Sequence, residues 1–149
     1  MTTFVQNRKV RFNYDIQKAF EAGIELFGFE VKSIKSGHGT LDGAYIVVRG
    51  GEAFLIGATI PPFQQNNTPK GYEPERNRRI LLKKKEIKEL ADMEGGKGLT
   101  IVPISLYNNR GKVKIEIGIA KGKRRFDKRQ TINKRESDRD ILRTLKNQR

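Results

Sequence analysis

The most regular alternation of apolar and polar residues runs through 113–120, where Val113, Ile115, Ile117 and Ile119 are separated by Lys114, Glu116 and Gly118. A repeat of two puts successive side chains on opposite faces of an extended chain, so the pattern predicts a half-buried strand. A partner strand is predicted over 99–107, with Asn108-Asn-Arg-Gly111 as the hairpin turn. Pro103 lacks the N–H that a ladder requires, which puts its strand at an edge or gives it a bulge. Upstream, Tyr45-Ile-Val-Val48 and Ala53-Phe-Leu-Ile56 flank Gly50-Gly51, a strong hairpin signal. Their near-continuous apolar character predicts cover on both faces, a barrel interior on one and a helix on the other.

Helical spacing is predicted elsewhere. Phe12, Ile16, Ala19, Phe20 and Gly23 share one face of a helix that Asn13 caps, Asp15 favours in its first turn and Gly23 ends. A second helix covers 83–94, with a stripe of Ile87, Leu90 and Ala91, a Lys85/Glu89 pair one turn apart, and Gly95-Gly96 as its stop. Between them, Ile24 and Leu26 change phase with Phe27, Phe29 and Val31 beside Gly28, which predicts a bulged strand. Val31-Lys-Ser-Ile-Lys35 follows as a short helical turn stopped at Gly37. Residues 61–79 hold four of the five prolines and read as a long loop. Together these elements predict a mainly β domain over residues 1–120, an OB-like antiparallel β-barrel with two or three short flanking α-helices.

Composition adds a second part to the chain. Lys and Arg number 31 against 17 Asp and Glu, a formal charge of +14, and the sequence pI is about 10.2. Residues 121–149 carry 12 Lys/Arg and 4 Asp/Glu, hence +8 of that +14. Such a segment has too little apolar surface to repay its own ordering and is expected to be disordered when free and helical when docked on a polyanion. Phe126 inside its basic run suits RNA, where cations meet phosphates and a ring stacks on a base. In its distal half Ile141, Leu142 and Leu145 form a weak amphipathic stripe. No apolar run approaches the length of a spanning helix, and the first residues lack a signal peptide's pattern. With no cysteine and one histidine, the chain reads as cytoplasmic, free of disulfides, metal and cofactors.

Catalytic chemistry has thin support. Glu21, Glu25, Glu30 and Asp42 could in part form a metal-dependent nuclease pair, but such carboxylates ordinarily balance nearby Lys and Arg. His38 sits in Ser36-Gly-His-Gly39, a surface turn without the Lys-Ser/Thr of a phosphate loop. No catalytic residue is assigned. A general OB-type RNA- or ribosome-binding protein is the reading that composition and pattern reach unaided.

Specific strings go further. Asn7-Arg-Lys-Val-Arg11, Phe20-Glu-Ala-Gly-Ile24, Gly28-Phe-Glu-Val-Lys-Ser33, Gly51-Glu-Ala-Phe-Leu55, Arg78-Arg-Ile-Leu-Leu82, Ser105-Leu-Tyr107 and Gly118-Ile-Ala-Lys-Gly-Lys123 with Asp127-Lys-Arg129 occur in that order. Together they resemble the small protein B (SmpB) family, bacterial partners of transfer-messenger RNA (tmRNA), from about residue 7 to the C-terminus. The resemblance implies a non-enzymatic protein that binds the tRNA-like domain of tmRNA and supports its aminoacylation. It further implies delivery, with GTP-bound elongation factor Tu, to ribosomes stalled on messages without a stop codon. There the tail would enter the decoding region and the empty mRNA channel, and a degradation tag would be added to the nascent chain.

By the same resemblance Asn7, Glu21 and Leu81 match positions tied to RNA binding, and Arg8, Arg11, Lys32 and Lys35 are added as phosphate contacts. Lys121, Lys123, Arg124, Arg125, Phe126, Lys128 and Arg129 would contact rRNA of the small subunit, with Arg139, Arg143 and Lys146 continuing along the channel. The protein is expected to act as a monomer. Phe12 and Phe126 stand where the family usually has histidine, which keeps stacking and loses the ring's hydrogen bonds and charge. Ser137 stands where many relatives carry tryptophan.

Overall fold

A computed structural model describes residues 2–64, 66, 68–94 and 98–123. The elements in order are β1 (Thr3–Gln6), α1 (Val10–Asn13), β2 (Tyr14–Ile24), α2 (Gly28–Lys35), β3 (Tyr45–Arg49), β4 (Glu52–Ile56), β5 (Arg78–Leu81), α3 (Lys84–Met93), β6 (Leu99–Asn109) and β7 (Lys112–Gly122). Every ladder is antiparallel. The order β6-β3-β4-β5-β2-β7 closes on itself through the β6–β7 pairing, and β1 adds to β6 outside the ring. Two joints of the ring are short: β5 meets β2 at Gly23 and Ile24, and β3 meets β6 at Ile46. The expected mainly β barrel with short helices is therefore present.

Both expected hairpins form, and local backbone chemistry explains why. Arg49 pairs with Glu52 across Gly50-Gly51, whose φ angles of 60° and 77° both lie in the left-handed region that glycine adopts freely. Arg110 (φ 52°) and Gly111 (φ 79°) turn the longer β6–β7 hairpin in the same way, so Arg110 holds a conformation uncommon for a side-chain-bearing residue. Pro103 lies on a strand paired on both sides, and the ladder slips between Pro103 and Ser105. Of the two sequence alternatives, the bulge is realised.

The interior is one apolar cluster drawn from all seven strands, including Phe20, Ile46, Leu55, Ile80, Ile101, Ile115 and Ile117. Ile34 of α2 and Leu90 of α3 are fully buried in it. In β3 and β4 the cover is uneven: Ile46, Ala53 and Leu55 are buried, whereas Val47, Phe54 and Ile56 are half-buried. The helix over 83–94 appears as α3, although residues 95–97, including its expected Gly95-Gly96 stop, lie outside the described residues.

Two expectations are overturned. The helix capped at Asn13 is instead the 11-residue strand β2, and Asn13 ends the one-turn α1. The ladder shifts between Ile16 and Lys18, and this bulge switches the side-chain phase. Before it, Tyr14 and Ile16 pack with Val10, Val102 and Ala120 in a small second cluster. Beyond it, Phe20, Ala22 and Ile24 alternate into the main core. Two period-two segments out of phase imitate a helical stripe.

The bulged strand around Gly28 is instead the start of α2, which extends the expected short turn back by three residues. Glu30 reaches back to the Phe27 N–H at 2.8 Å and caps the helix, a contact no binary pattern reveals. Among the described residues, 61–77 carry no strand, as expected, whereas Arg78 and Arg79, placed in the same loop by the sequence, already pair with Leu55 and Phe54 as the start of β5.

Candidate RNA-binding surface

Three strands bring the distal half of β2 to the surface beside cations. Gly23 is opposite Lys114 on β7 and opposite Leu81 on β5, so Lys114, Gly23 and Leu81 form a row across the sheet. A Cβ at Gly23 would lie 3.1 Å from that of Leu81, so glycine is what lets Leu81 lean over β2. Leu81 is 45% exposed. With Leu26, Val31, Lys112 and Lys114 it lines a cleft of about 370 Å³.

Two residues along β2, the exposed Glu21 faces Glu116 across the β2–β7 ladder. Asn109 Nδ2 donates to Glu21 Oε1 at 2.9 Å. Hydrogen bonds from Tyr107 and then Asn109 hold the Glu21 carboxyl below its ordinary value against the opposing effect of burial, with smaller help from the charges of Lys114 and Arg110. The Tyr107 hydroxyl is pushed up, chiefly by burial and then by its bond to Glu21. Glu21 is thus a fixed, charged acceptor with a cationic rim, in a cleft of about 360 Å³ lined also by Asn109, Arg110, Lys112 and Lys114. Lys112 and Lys114 belong to both clefts, so Glu21 and Leu81 occupy one continuous surface. Lys35 adjoins it, donating from Nζ to the Gly111 carbonyl at 3.3 Å.

The remaining expected residues lie elsewhere. Asn7 is 7% exposed, and its Nδ2 donates to the carbonyls of Pro103 at 2.9 Å and Leu41 at 3.3 Å. It therefore joins β6 to the loop before β3. Asn7 also borders a cleft of about 540 Å³ with Lys9, Asn13, Tyr14, Tyr45, Gly122 and Lys123. Arg8 and Arg11 are exposed beside it on and before α1. Lys121 pairs within the β7 ladders, and the Lys123 N–H donates to the Asn13 carbonyl at 2.9 Å. Gly122 pairs with Tyr14, whereas Glu21 is seven residues further along β2, roughly 20 Å at the rise of a strand. The Glu21–Leu81 surface and the root of the tail are therefore at opposite ends of one ladder. Lys32 is exposed on α2. Arg124, Arg125, Phe126, Lys128, Arg129, Ser137, Arg139, Arg143 and Lys146, and the tail's expected conformation, lie outside the described residues.

The four carboxylates weighed for catalysis do not converge on a shared site. Glu30 is enclosed by Arg76 and Arg78, at 2.5 and 2.7 Å, and Glu25 pairs with Arg79 at 3.5 Å. The expected charge balancing holds for both. Among the described residues no group of three or more His, Asp or Glu is placed to hold a metal ion, and no helix is long and apolar enough to cross a membrane.

Sequence reasoning missed Tyr107, Asn109, Lys112 and Lys114. The strings Ser105-Leu-Tyr107 and Lys112-Val-Lys114 were visible, but their meeting with Glu21 depends on the β2–β7 register. That register in turn depends on the bulge at residue 17.

Comparison with known proteins supplies the family. Residues 4–147 match the model of the SmpB protein family. The SsrA-binding protein of Cupriavidus necator strain H16 is 46% identical over 144 residues, 97% of this chain and 96% of that one. Those of Synechococcus sp. strain JA-2-3B'a(2-13) and Lactobacillus delbrueckii subsp. bulgaricus are 44% and 45% identical, over 97% and 93% of this chain and 94% and 90% of theirs. A chain in a solved structure described as "tmRNA-SmpB: a journey to the center of the bacterial ribosome" superposes with a TM-score of 0.67 at 37% identity, covering 85% of this chain and 92% of that chain. The similarity runs along nearly the whole length of the chain, and the chain belongs to the SmpB family.

Proposed function

We propose that this protein binds the tRNA-like domain of tmRNA through the Glu21–Lys114–Leu81 end of its barrel and delivers it to stalled ribosomes for trans-translation. The observation that carries this function is the family match along residues 4–147, which spans both barrel and tail. Trans-translation needs one protein to hold an RNA and present a second element to the ribosome. The separation of the Glu21 surface from the tail root along β2 supports that division.

Glu21 accepts hydrogen bonds from an RNA donor such as a guanine edge, Leu81 packs against a sugar or base, and Lys35, Lys112 and Lys114 meet phosphates. At the opposite end Arg8, Arg11, Lys121, Lys123 and the basic residues beyond face rRNA of the small-subunit decoding region and the message channel. Asn7 acts on binding through the fold, because its amide is already engaged by two carbonyls. Elongation factor Tu with GTP joins through the aminoacylated tmRNA. The protein works as a cytoplasmic monomer without catalytic residues of its own.

A competition assay tests specificity. At matched salt, tmRNA should outcompete an unrelated tRNA, and Glu21→Ala should erase most of the difference. Equal affinity for both RNAs would reject the specific function, since phosphate contacts alone bind either RNA with steep salt dependence.

A further inference from the structure

Across α2 from the Leu81 cleft lies a second feature that the proposed function does not use. Phe27 is 50% exposed and Phe63 is 44% exposed, and both line one cleft of about 420 Å³ with Phe29 and Lys32. Singly exposed apolar residues are ordinary on protein surfaces, but two large rings facing one cleft are not. The Phe27 ring is held rather than loose. Phe29 stacks on it with centroids 5.5 Å apart, and the Arg76 guanidinium lies 4.2 Å from its centroid. Arg76 is fixed in turn by Glu30, which also takes the Phe27 N–H. A buried carboxylate therefore fixes a half-exposed aromatic platform at the N-terminus of α2.

We propose that Phe27 and Phe63 form a stacking site for one unpaired base of RNA, with Lys32 meeting the adjoining phosphate. Rigid rings lose little entropy on binding, and every base presents a π-face to them. Charge favours RNA over an apolar peptide. Among the described residues lining the cleft the charged one is Lys32. Behind it two guanidiniums, Arg76 and Arg78, share the single carboxylate of Glu30, leaving the platform cationic. The same helix borders both clefts, Val31 of α2 lining the Leu81 cleft and Phe29 and Lys32 lining this one. Its use on tmRNA rests on the function proposed above. Affinity for unpaired RNA does not.

The test uses the full-length protein and two probes at matched salt, an eight-nucleotide single-stranded oligoribonucleotide carrying 2-aminopurine and full-length tmRNA. Phe27→Leu with Phe63→Leu keeps apolar bulk at exposed positions and removes the rings. It should weaken oligonucleotide binding about ten-fold, as expected for losing a base–aromatic stack. It should also abolish the fluorescence change of the stacked probe. The salt slope should stay unchanged, because no phosphate contact is removed. Lys32→Ala should weaken binding less and lower that slope. Unchanged oligonucleotide affinity and fluorescence in the double variant would overturn the stacking site. Unchanged oligonucleotide binding together with lost binding to RNA-free ribosomal proteins would assign the platform to a protein partner, and also overturn it. Wild-type protein that fails to prefer tmRNA over tRNA, yet loses oligonucleotide binding in the double variant, would refute the proposed function and leave the stacking site standing.

Discussion

Glu30→Gln is the sharpest test of how the fold is held. The wild-type carboxylate is fully buried and accepts from the Phe27 N–H at 2.8 Å, Tyr72 OH at 2.8 Å, Arg76 Nη2 at 2.5 Å and Arg78 Nη2 at 2.7 Å. It therefore joins α2 to the long loop and to β5. Burial opposes its charge, but the bonds from Arg76, the Phe27 N–H, Arg78 and Tyr72 outweigh that and hold the carboxyl below its ordinary 4.5. The same cluster, first through burial and then through Glu30, pushes the Tyr72 phenol up to about 12. Glutamine keeps the volume and removes the charge, leaving the fully buried Arg78 guanidinium without its counter-ion.

Breaking one side of a buried ion pair costs about 3–5 kcal/mol. For a barrel of this size that corresponds to a fall in Tm of roughly 12–20 °C, at about 4 °C per kcal/mol. Because the folded pKa is lowered, Glu30 contributes its stability above the unfolded value and loses it as pH falls through the folded one. Urea denaturation followed by circular dichroism should therefore show a wide gap between variant and wild type at pH 7. The gap should narrow below about pH 4. A triple replacement of Glu30, Arg76 and Arg78 by apolar residues should recover much of the loss, since well-packed hydrophobes often match a buried ionic cluster. A Glu30→Gln cost below about 1 kcal/mol at pH 7, or a gap independent of pH, would refute this account of the cluster.

Two further outcomes separate direct contacts from structural ones. The Glu21 carboxyl also sits below 4.5, so its contribution to tmRNA affinity should be flat from pH 7 to about 5 and fade only below 4.5. Glu21→Gln should remove that acid-side dependence, as read by fluorescence anisotropy across pH. Asn7→Ala should cost about 1–3 kcal/mol of stability, because it removes the bonds that a buried amide donates to the Pro103 and Leu41 carbonyls. Its loss of RNA affinity should disappear at temperatures well below its melting point. Lost affinity at an unchanged Tm would instead make Asn7 a direct contact.

The parts of the fold legible in the sequence were those with uninterrupted local signals. Gly50-Gly51 needs positive φ at both positions, and Val113 to Ile119 alternates without a break, so the two hairpins and the barrel class followed. β2 was hidden because its bulge splits one alternation into two phases that mimic a helix. α2 was hidden because its N-terminus is organised by Glu30, a charged residue paired with arginines 46 and 48 positions away. Among the site residues, Glu21 and Leu81 came from string resemblance, and their shared surface came from strand register. Lys112 and Lys114 carry no local mark that distinguishes them from other surface lysines. What selects them is that Lys114 falls opposite Gly23, which falls opposite Leu81.

In the proposed function the barrel holds tmRNA and the tail engages the ribosome, and truncation separates the two. The cut belongs after Lys123, since Gly122 pairs with Tyr14 and the Lys123 N–H is bonded to Asn13, so removal of 124–149 spares every described hydrogen bond of the barrel. Measured on the same preparation, the truncated protein should bind tmRNA within about two-fold of the full chain, once the loss of distal cations is allowed for by matching affinities at higher salt. It should add no tag to nascent chains on stalled ribosomes. Parallel loss of tmRNA binding and tagging would contradict this division of labour, and so would tagging that survives the truncation.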